Sequence, residues 1–577
     1  MNRPLFVSYP GVVCAAGCGR DALWNAVSSG SQDGMKKVNA CKKDFFAARV
    51  EENLEAAHEA RYDMKLISIE KAAVAQIDGV IKKALALYGK DRVAVCVGSC
   101  DNGSEFSVAA HQSYFNAGAF PLSYQLEMQG ASYVATYIKE LYNIKGPSLA
   151  FATACSSSAS AFVKACQLVQ GNCADAVVVG GVDIASDTVL LGFDALEAVS
   201  EEKTNPFSRN RNGITLGDGA AFFVLAKDDL AESKPALLIA GYGESADAHH
   251  ITAPDPEGLG AVQAMKAALA SAHVDARTID YLNLHGTGTL FNDAMEAKAV
   301  KTVFGDYEVP CSSTKSETGH TLGAAGALEL AVCYETIVRN AGADKVQFPV
   351  QCWDKQADDA LPRLNIVDSA FDASTLSRAD RRFPVQYCMS NSFAFGGANV
   401  SLIIAVQALV PQRLEGAALL ELMPHRGKML LLNRVTAHDI ARKTLSGECD
   451  ITERCIFYDK SMDGVPSWAA FEMFAQGISA LAAIIRASGR MIDKSRAGVI
   501  LSVSNFTANV PVLANETRAV IEIEEEFCSD DVSQYACTLF VAENNASARD
   551  AALKKAVAAK ITVMEMENIK ESLCQKK

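Results

Sequence analysis

Short apolar segments alternate with helical ones over the first 407 residues, and this alternation limits the chain to a layered α/β architecture. Residues 147–183 contain one complete unit: the strand-like PSLAFATA, the almost wholly apolar helix SSSASAFVKACQLVQ and the buried strand ADAVVVGG. Such a succession is typical of helices packed on a sheet. The segment 236–245, ALLIAGYGES, restarts the pattern with which the chain opens. We therefore expect two similar halves within residues 1–407.

The pattern changes after residue 407, which predicts a linker over 408–420, a second domain over 421–566 and a polar tail over 567–577. The second domain has one long helix, from about Trp468 to Arg486, that is apolar on nearly every face and should be buried. Five strands are predicted around it, at 428–435, 498–506, 517–527, 535–543 and 558–566. One buried helix with several strands predicts a small α+β domain.

Composition excludes several classes of protein. A chain of 577 residues is too long for one ordinary core. Its net charge of −14 argues against a nucleic-acid partner. Neither a signal peptide nor an apolar run of about 18 to 20 residues is evident, so we expect a cytoplasmic protein without a membrane span. The 17 cysteines have no regular spacing and form no CxxC pair, which predicts reduced thiols and no metal site.

The first chemical signal is Cys155, in TACSSS between a predicted strand and an apolar helix. The dipole and free amides of a helix N-terminus favour the thiolate. The amide of the nucleophile itself can also face a developing oxyanion. A small buried structural cysteine in a Ser-rich turn has the same local sequence, so this motif decides nothing alone.

Two histidines strengthen the case for a nucleophilic cysteine. His285 lies in NLHGTGTLFND and His320 in STKSETGHTLGAAGALE, both in Gly/Thr-rich turns of the kind that carry active sites. One such histidine is usually a solvated bystander. Two of them, together with Cys155, predict a single site.

In this order the three motifs resemble the elongating β-ketoacyl-acyl carrier protein synthases, which have a Cys-His-His site on a thiolase-like fold. The resemblance covers residues 1–407 and includes NPFSRNRNGITLGDGAA at 205–221 and SNSFAFGGANVSLI at 390–403. It implies that Cys155 takes the acyl chain as a thioester. It also implies that His285 and His320 promote decarboxylation of a malonyl-carrier extender and stabilise the enolate that attacks this thioester.

The same resemblance implies roles for other residues. Lys315 would hold the His320 loop with Glu329 as its ionic partner, and Asp293 would give further structural support. The residues implied in substrate binding are Thr287 and Thr289, as hydrogen-bond donors to a phosphopantetheine arm, Phe393, as the oxyanion amide and the gate of the acyl pocket, and Phe395.

Two comparisons within the superfamily refine this interpretation. Ala394 stands where the family usually has glycine, and because alanine resists positive φ we expect a stiffer gate and an altered chain-length preference. Starter-condensing enzymes and thiolases use Cys-His-Asn or Cys-His-Cys sets, and chain-length-factor homologues lack the nucleophile. The presence of Cys155 and two histidines favours an active decarboxylating synthase over a non-catalytic scaffold that pairs with one.

The second domain resembles the 3-hydroxyacyl-carrier dehydratases of the hot-dog fold, through LLELMPHRGKMLLLNRV at 419–435 and GVPSWAAFEMFAQGISAL at 464–481. In that fold an acid on the central helix works with a histidine. Glu472 fits the acid. Its apolar neighbours, among them Trp468 and Phe471, should make it hard to ionise, and a protonated carboxyl can donate to a departing 3-hydroxyl.

The dehydratase histidine is missing from its usual turn, because the corresponding stretch, IFYDKSMDGVPSW, contains none. His425 is the candidate base, and His438 is expected in a surface loop. Two hypotheses remain: a working dehydratase with a relocated histidine, or an inactive hot-dog module that serves dimerisation or acyl binding. These two hypotheses are distinguished by whether the side chain of His425 lies close enough to Glu472 to act with it.

The expected partners follow from the resemblance. Substrates would arrive on an acyl carrier protein by its phosphopantetheine arm, without a cofactor bound to the enzyme. Lys203, Arg209 and Arg211 are candidate docking charges. No GxGxxG motif lies between a strand and a helix, so a separate ketoreductase must act between the two steps of fatty-acid or polyene assembly. A homodimer through both domains is expected.

Overall fold

The computed structural model describes residues 5–57, 59–101, 103–272, 274–343, 345–372, 385–407, 413–439, 442–489, 497–529, 532–542 and 553–566. The chain divides into two compact units after Gln407. The predicted polar tail, 567–577, and the first part of the predicted linker, 408–412, lie outside the described residues.

The N-terminal unit is built on one large sheet, with a small second sheet of β4, β5 and β9. Its strands are β1 Phe6–Val7, β2 Gly11–Cys14, β3 Gly17–Cys18, β4 Lys36–Ala40, β5 Lys43–Ala48, β6 Val93–Gly98, β7 Ser148–Phe151, β8 Ala176–Asp183, β9 Leu216–Gly217, β10 Gly219–Ala226, β11 Leu237–Ala246, β12 Tyr281–Asn283, β13 Pro310–Ser312, β14 Asn365–Ile366, β15 Tyr387–Phe393 and β16 Ala398–Val406.

The large sheet repeats one topology twice. Its order is β14-β13-β12-β15-β16-β11-β1-β10-β8-β6-β7, and the halves meet where β1 pairs antiparallel with β11. Outward from that pair, the strands of one half follow in the order β10, β8, β6, β7. The strands of the other half follow in the order β16, β15, β12, β13 and correspond to them one by one. The pairing agrees as well, because in each half the two inner pairs are antiparallel and the two outer pairs parallel. The prediction of two similar halves in a thiolase-like fold is confirmed.

Helices cover this sheet, and two of the long ones are almost wholly buried. The helices are α1 Arg20–Ser29, α2 Lys65–Ala75, α3 Asp78–Tyr88, α4 Ser104–Ala117, α5 Tyr133–Leu141, α6 Ser157–Gln170, α7 Asp187–Ala195, α8 Leu259–Ala272, α9 Leu290–Phe304, α10 Lys315–Thr318 and α11 Ala325–Arg339. The two helices, α6 and α11, pack against each other and are rich in small residues such as alanine, glycine and serine. Their small side chains allow the close approach that a buried central layer requires.

The C-terminal unit wraps an antiparallel sheet, in the order β17-β18-β19-β23-β24-β25-β21, around one long helix. Its elements are β17 Leu414–Glu415, α12 Gly416–Leu422, β18 Arg434–Asp439, β19 Thr444–Ile451, β20 Gly464–Pro466, α13 Ala470–Gly489, β21 Ala497–Ala508, β22 Val512–Ala514, β23 Thr517–Ser529, β24 Val532–Ala542 and β25 Leu553–Met566. The predicted hot-dog fold is confirmed.

The helix α13 is the core of this unit. Over Ser467–Ala487 the chain is long and apolar enough to cross a membrane by length and composition alone, but most of that stretch is buried inside the domain. Its inner face contributes Met473, Phe474 and Leu481 to the hydrophobic core that the sheet encloses. The segment is therefore explained as the core helix that the sequence predicted.

Three details of the C-terminal unit differ from the prediction. The domain begins before residue 421, because β17 already pairs with β18. The predicted strand 428–435 is mostly loop, and only its end joins β18; β19 was not predicted. His438, expected in a surface loop, is buried within β18, where a register shift between Val435 and Ala437 places both Val435 and His438 on the buried side of the strand.

Candidate active sites

Cys155 lies in the 3-10 turn Ala154–Ser156 between β7 and α6. Its side chain is buried, and His320 Nε2 lies 2.9 Å from its Sγ. His320 comes just after α10, and its backbone amide donates to Thr215 O at 2.7 Å. The fold thus joins residues 165 positions apart into one contact.

The protonation state of Cys155 corrects the prediction of a thiolate. Burial raises the pKa of this thiol to about 12, although the nearby Lys315 ammonium acts in the opposite direction. Burial also lowers the pKa of His320 well below its ordinary value. Both groups are therefore neutral near pH 7, and in the tautomer with an unprotonated Nε2 the imidazole accepts a hydrogen bond from the thiol. Desolvation raises the pKa of the Cys155 thiol by more than the helix N-terminus, on which the prediction relied, lowers it.

His285 completes the buried group. Its ring meets that of His320 edge-on, with centroids 5.5 Å apart. Lys315 Nζ donates to His285 O at 2.6 Å and lies 3.4 Å from its Nδ1. Burial and the Lys315 charge lower the pKa of His285 well below its ordinary value. The predicted ion pair between Lys315 and Glu329 is present and fully buried.

Two carboxyl groups on α9 hold the His285 loop. Asp293 accepts from the amides of Phe207 at 2.8 Å and Gly288 at 3.2 Å, which agrees with the structural support expected of it. Glu296 accepts from the amides of His285 at 2.8 Å and Gly286 at 2.7 Å. Sequence reasoning missed Glu296. Its spacing of three residues from Asp293, on the same helix face, was the available signal.

These residues open onto a cavity of about 260 Å³. The hydroxyls of Thr287 and Thr289 lie 3.0 Å apart on its wall, and Leu290 and Phe291 are exposed beside them. The other lining residues include Cys155, Phe193, Leu196, Ile214, Pro254, His285, His320, Phe393 and Phe395, together with the polar side chains of Glu197, Asn212, Thr252, Asn292 and Asn399. A largely apolar cavity that ends at a buried cysteine suits an acyl chain.

The closing loop corrects the role predicted for Phe393. The backbone amide that hydrogen-bonds the Cys155 sulfur belongs to Phe395. Phe393 is instead the last residue of β15, and its buried ring packs edge-on against His285, with centroids 6.2 Å apart. Phe395 stacks on Phe193 of α7, with centroids 6.0 Å apart. The loop therefore places the backbone amide of Phe395, not that of Phe393, at the Cys155 sulfur, and the Phe395 ring lines the cavity.

The expectation that Ala394 makes the gate stiffer is also wrong. Its φ is −102°, in the extended region that any residue adopts. The positive φ values of this loop fall on Gly396 and Gly397, at 82° and 76°. Alanine at position 394 therefore adds no backbone strain to the gate.

In the C-terminal unit, His425 Nε2 lies 3.7 Å from Glu472 Oε1. Gln476, one turn along α13, donates to the same Glu472 oxygen at 3.0 Å. The amide of Gln476 also accepts from Leu431 N and Leu432 N and donates to Met429 O. One buried glutamine thus fixes both the acid and the loop that follows His425.

The surroundings of Glu472 are less enclosed than predicted. Its side chain is 18% exposed, and the whole of Trp468 is 54% exposed. Trp468 stacks on Phe471 and meets Phe457 edge-on, so the aromatic group lies on the surface near the start of the helix. The prediction that Glu472 lies in a dry apolar pocket is therefore wrong for the single chain.

Comparisons with known proteins identify the family. Profiles of the β-ketoacyl synthase N-terminal and C-terminal domains match residues 35–231 and 237–345. A 3-oxoacyl-[acyl-carrier-protein] synthase 2 of Coxiella burnetii is 30% identical over 434 residues, which cover 70% of this chain and 99% of that protein. The chain belongs to the β-ketoacyl synthase family. A further synthase 2, of Staphylococcus aureus, is 34% identical over 54% of this chain and 75% of its own length.

Solved structures agree with the family of this ketosynthase. The ketosynthase ApeO of Xenorhabdus doucetiae, solved in complex with its chain length factor ApeC, is 32% identical with a TM-score of 0.62, over 70% of this chain and 98% of that one. A β-ketoacyl synthase of Burkholderia phymatum is 26% identical with a TM-score of 0.58, over 70% of this chain and 100% of that one.

The C-terminal unit matches the ApeP dehydratase family over 417–573. The ketosynthase therefore carries a dehydratase-type domain in the same chain.

Not all of the basic side chains predicted to dock the carrier protein are exposed on the surface. Arg211 is buried, where it bonds Ser208 O at 2.8 Å and Asp358 at 2.6 Å, because the Gly/Asn-rich turn folds it inward. Arg209 is exposed, and Lys203 is half-buried with its Nζ 3.3 Å from Gln32 O. Arg211 is a structural residue and not a docking charge.

A metal ion fits the ketosynthase site poorly. Ligand atoms of Cys155, His285 and His320 lie within 4.8 Å of one another, which is a spacing that a metal could use. The Lys315 ammonium lies 3.4 Å from His285 Nδ1, however, and would repel a cation there. The raised pKa of the Cys155 thiol also opposes metal binding, which requires the thiolate.

Proposed function

We propose that this ketosynthase condenses an acyl chain, held as a thioester on Cys155, with a malonyl group on an acyl carrier protein to give a 3-oxoacyl-carrier. The observation that carries the proposal is the 2.9 Å contact between Cys155 Sγ and His320 Nε2 at the end of an apolar cavity. The names of the relatives, as acyl-carrier-protein synthases, support the same substrate class.

In the first step Cys155 attacks the thioester carbonyl of the incoming acyl-carrier. Its S–H proton passes to His320 Nε2 and then to the sulfur of the departing carrier thiol. The carbonyl oxygen gains charge as the S–C bond forms, and the amides of Cys155 and Phe395 are the donors we assign to it. This step needs no resting thiolate, because the base lies at hydrogen-bond distance.

In the second step the malonyl thioester loses carbon dioxide, and the electrons of the broken C–C bond form an enolate. The imidazole N–H groups of His285 and, in its Nε2–H tautomer, of His320 donate to the enolate oxygen. The enolate carbon attacks the Cys155 thioester and expels the Cys155 thiolate, which is reprotonated by one proton taken up from solvent, because the loss of carbon dioxide consumes a proton overall. Lys315 acts as a positioning residue, through its bonds to His285 O and Glu329.

Mass spectrometry of carrier-bound intermediates tests this proposal. The intact chain, given acyl-carrier and malonyl-carrier, should yield 3-oxoacyl-carrier, and Cys155→Ala should abolish it. Cys166→Ala, a change of another buried cysteine on α6, is the matched control and should retain turnover. No product from the intact chain across a range of acyl lengths would refute the condensation proposal.

We infer that the C-terminal domain dehydrates the 3-hydroxyacyl-carrier. His425 would remove a C2 proton while Glu472 protonates the departing 3-hydroxyl, so that water leaves and a C=C bond forms. The 3.7 Å separation of their side chains supports this inference over that of an inactive module for dimerisation or acyl binding. A 3-hydroxyacyl-carrier that the chain leaves unchanged, or that His425→Ala and Glu472→Gln dehydrate as fast as the wild type, would favour the inactive module.

The remaining partners follow from this chemistry. A phosphopantetheine arm would enter past Thr287 and Thr289, so the enzyme itself needs no bound cofactor. A separate ketoreductase would reduce the 3-oxo group between the two reactions, in fatty-acid or polyene assembly in the cytoplasm. We further propose a homodimer, because an oligomer built from copies of one chain is the commonest assembly of soluble proteins. The relative ApeO, in contrast, was solved in complex with a different chain, its chain length factor.

A further inference from the structure

A buried carboxylate, Asp183, lies behind the condensing cavity and joins two segments that carry the reacting groups. Asp183 ends β8, and 1% of the residue is exposed. Its Oδ2 accepts from the backbone amides of Cys100 at 2.8 Å and Gly323 at 2.9 Å, and its Oδ1 accepts from the amide of Ile184 at 3.2 Å. None of these four residues lines the cavity. The carboxylate therefore contacts the site only through the segments that it holds.

The first segment is the turn that follows His320. Gly323 lies in the 3-10 turn Leu322–Ala324. Leu322 has a φ of 51°, a left-handed value that is unfavourable for leucine, so the surrounding contacts must hold the turn in this shape. A Cβ at Gly323 would lie 2.7 Å from Cys100 N and 2.8 Å from Asp183 Oδ2. The turn thus lies against the carboxylate without space for a side chain.

The second segment follows β6 and packs against the turn that carries Cys155. A Cβ at Gly98, the last residue of β6, would lie 2.2 Å from the backbone of α6. Cys100 Sγ lies 3.8 Å from Ser157 Oγ, which also accepts from Thr153 N at 2.9 Å. Thr153 and Ser157 flank the turn of Cys155 on its two sides. A displacement of the Cys100 segment would therefore be transmitted to the nucleophile.

We propose that Asp183 is a positioning residue of the condensing site, because it fixes the turn of His320 against the turn of Cys155. This role rests on the proposed transfer of a proton between those two residues. Their 2.9 Å contact depends on the relative placement of segments 165 positions apart. One oxygen of Asp183 accepts from an amide of each neighbouring segment and so links them directly. An error of about 1 Å in such a contact can slow a reaction by about 10²-fold.

The ionised form of Asp183 suits this role. A carboxylate accepts at both oxygens, which matches three amide donors. Burial raises the pKa of Asp183 to about 7, whereas the amides of Cys100, Gly323 and Ile184 act in the opposite direction. The proposal is therefore tested at pH 8, where the carboxylate predominates.

The rate of acylation of Cys155 measures the effect, by intact-protein mass spectrometry of the full-length chain with acyl-carrier and without malonyl-carrier. Asp183→Ala should lower the rate at saturating acyl-carrier by about tenfold or more. The half-saturating concentration should change by less than about twofold, because Asp183 does not line the cavity. Rates are expressed per chain that can be acylated at the end point, so that a loss of folded protein does not count as a loss of rate.

Two further variants separate positioning from a merely structural role. Asp183→Asn should restore the rate to within about threefold of wild type, because its side-chain oxygen still accepts from the amides of Cys100 and Gly323. Gly323→Ala inserts a methyl group between the carboxylate and the turn, and should slow acylation as Asp183→Ala does. It tests the same link without removal of a buried acid, in case Asp183→Ala does not fold.

Asp280→Ala is the matched control. Asp280 is also buried, and its Oδ2 accepts from the amides of Gln386 at 2.6 Å and Tyr387 at 3.0 Å. It precedes β12, whereas His285 follows that strand, so it lies away from the condensing site. This variant should lose comparable thermal stability and retain the wild-type rate of acylation.

Three results would overturn the proposal: a wild-type rate in folded Asp183→Ala or folded Gly323→Ala, equal slowing in the control, or an Asp183→Asn variant as slow as Asp183→Ala. A wild-type chain that acylates Cys155 but gives no 3-oxoacyl-carrier with malonyl-carrier would refute the proposed condensation alone. A wild-type chain that does not acylate Cys155 would overturn both.

Discussion

At the scale of single residues, burial decides the chemistry of the condensing site. The identity of Cys155, His285 and His320 could be predicted from three short motifs. Their protonation could not, because it depends on how much water the folded chain removes. Desolvation raises the pKa of the Cys155 thiol and lowers those of both imidazoles. A neutral thiol–imidazole pair results, in place of the ion pair that a helix N-terminus alone would favour.

The neutral pair predicts that Cys155 depends on His320 to react. His320→Ala should slow acylation of Cys155 by about 10²- to 10³-fold, because the thiol loses the acceptor of its proton. Intact-protein mass spectrometry over time would measure the acyl-enzyme. His249→Ala, at an exposed histidine outside the cavity lining, should acylate at the wild-type rate. Acylation of His320→Ala within about twofold of wild type would contradict the assigned base.

A second residue-scale prediction concerns Glu70, a buried residue of α2. Neither of its carboxyl oxygens has a hydrogen-bond partner among the described residues, and burial raises its pKa well above 4.5. Because the folded pKa lies above the unfolded one, the stability present below pH 4.5 is lost as the pH rises. Glu70→Gln should therefore gain about 1 to 3 kcal/mol over wild type at pH 8 and little at pH 4.5.

Melting temperatures of the two proteins between pH 4.5 and 8 would measure this difference. The exposed Glu127→Gln serves as the control, and its melting temperature should follow that of wild type across the range. A Glu70→Gln variant that gains no stability as the pH rises would show that the carboxylate is solvated or paired in the folded chain.

At the scale of elements, long apolar patterns were predictable and hydrogen-bond partners were not. The helices α6 and α13 follow from runs of apolar residues, and the strands β21, β23, β24 and β25 from their alternation. The apolar run at 428–435 was mistaken for a strand. Its amides at Leu431 and Leu432 are satisfied by the side chain of Gln476, 44 to 45 residues away, instead of by a neighbouring strand. No local pattern contains that information.

That contact gives an element-scale prediction for Gln476, which ties α13 to the loop over 429–432. Gln476→Leu should destabilise the C-terminal domain by about 1 to 3 kcal/mol, because it leaves buried backbone groups unpaired. It should also slow dehydration, since Glu472 loses a donor. Thermal melting and the 3-hydroxyacyl-carrier assay would measure the two effects. Gln534→Leu, at a half-buried glutamine of β24, should change neither by a comparable amount.

At the scale of the whole molecule, each unit has a hydrophobic core of its own. The C-terminal core is formed by residues between Leu414 and Val563. The N-terminal clusters are formed by residues that precede Gln407. The division after residue 407 was visible in the sequence as a change of pattern, because a domain boundary interrupts the periodicity of both domains. Domains with separate cores are expected to fold alone.

Separate expression of the two units follows as a prediction. A fragment of residues 1–407 should condense acyl and malonyl groups within about threefold of the full-length rate, because every group we assign to that reaction lies in it. A fragment of residues 408–577 should melt cooperatively and dehydrate a 3-hydroxyacyl-carrier. Mixing the two fragments controls for any benefit of the second domain. Loss of condensation in residues 1–407 that the mixture does not restore would show that the N-terminal unit needs covalent linkage to the second domain in order to condense.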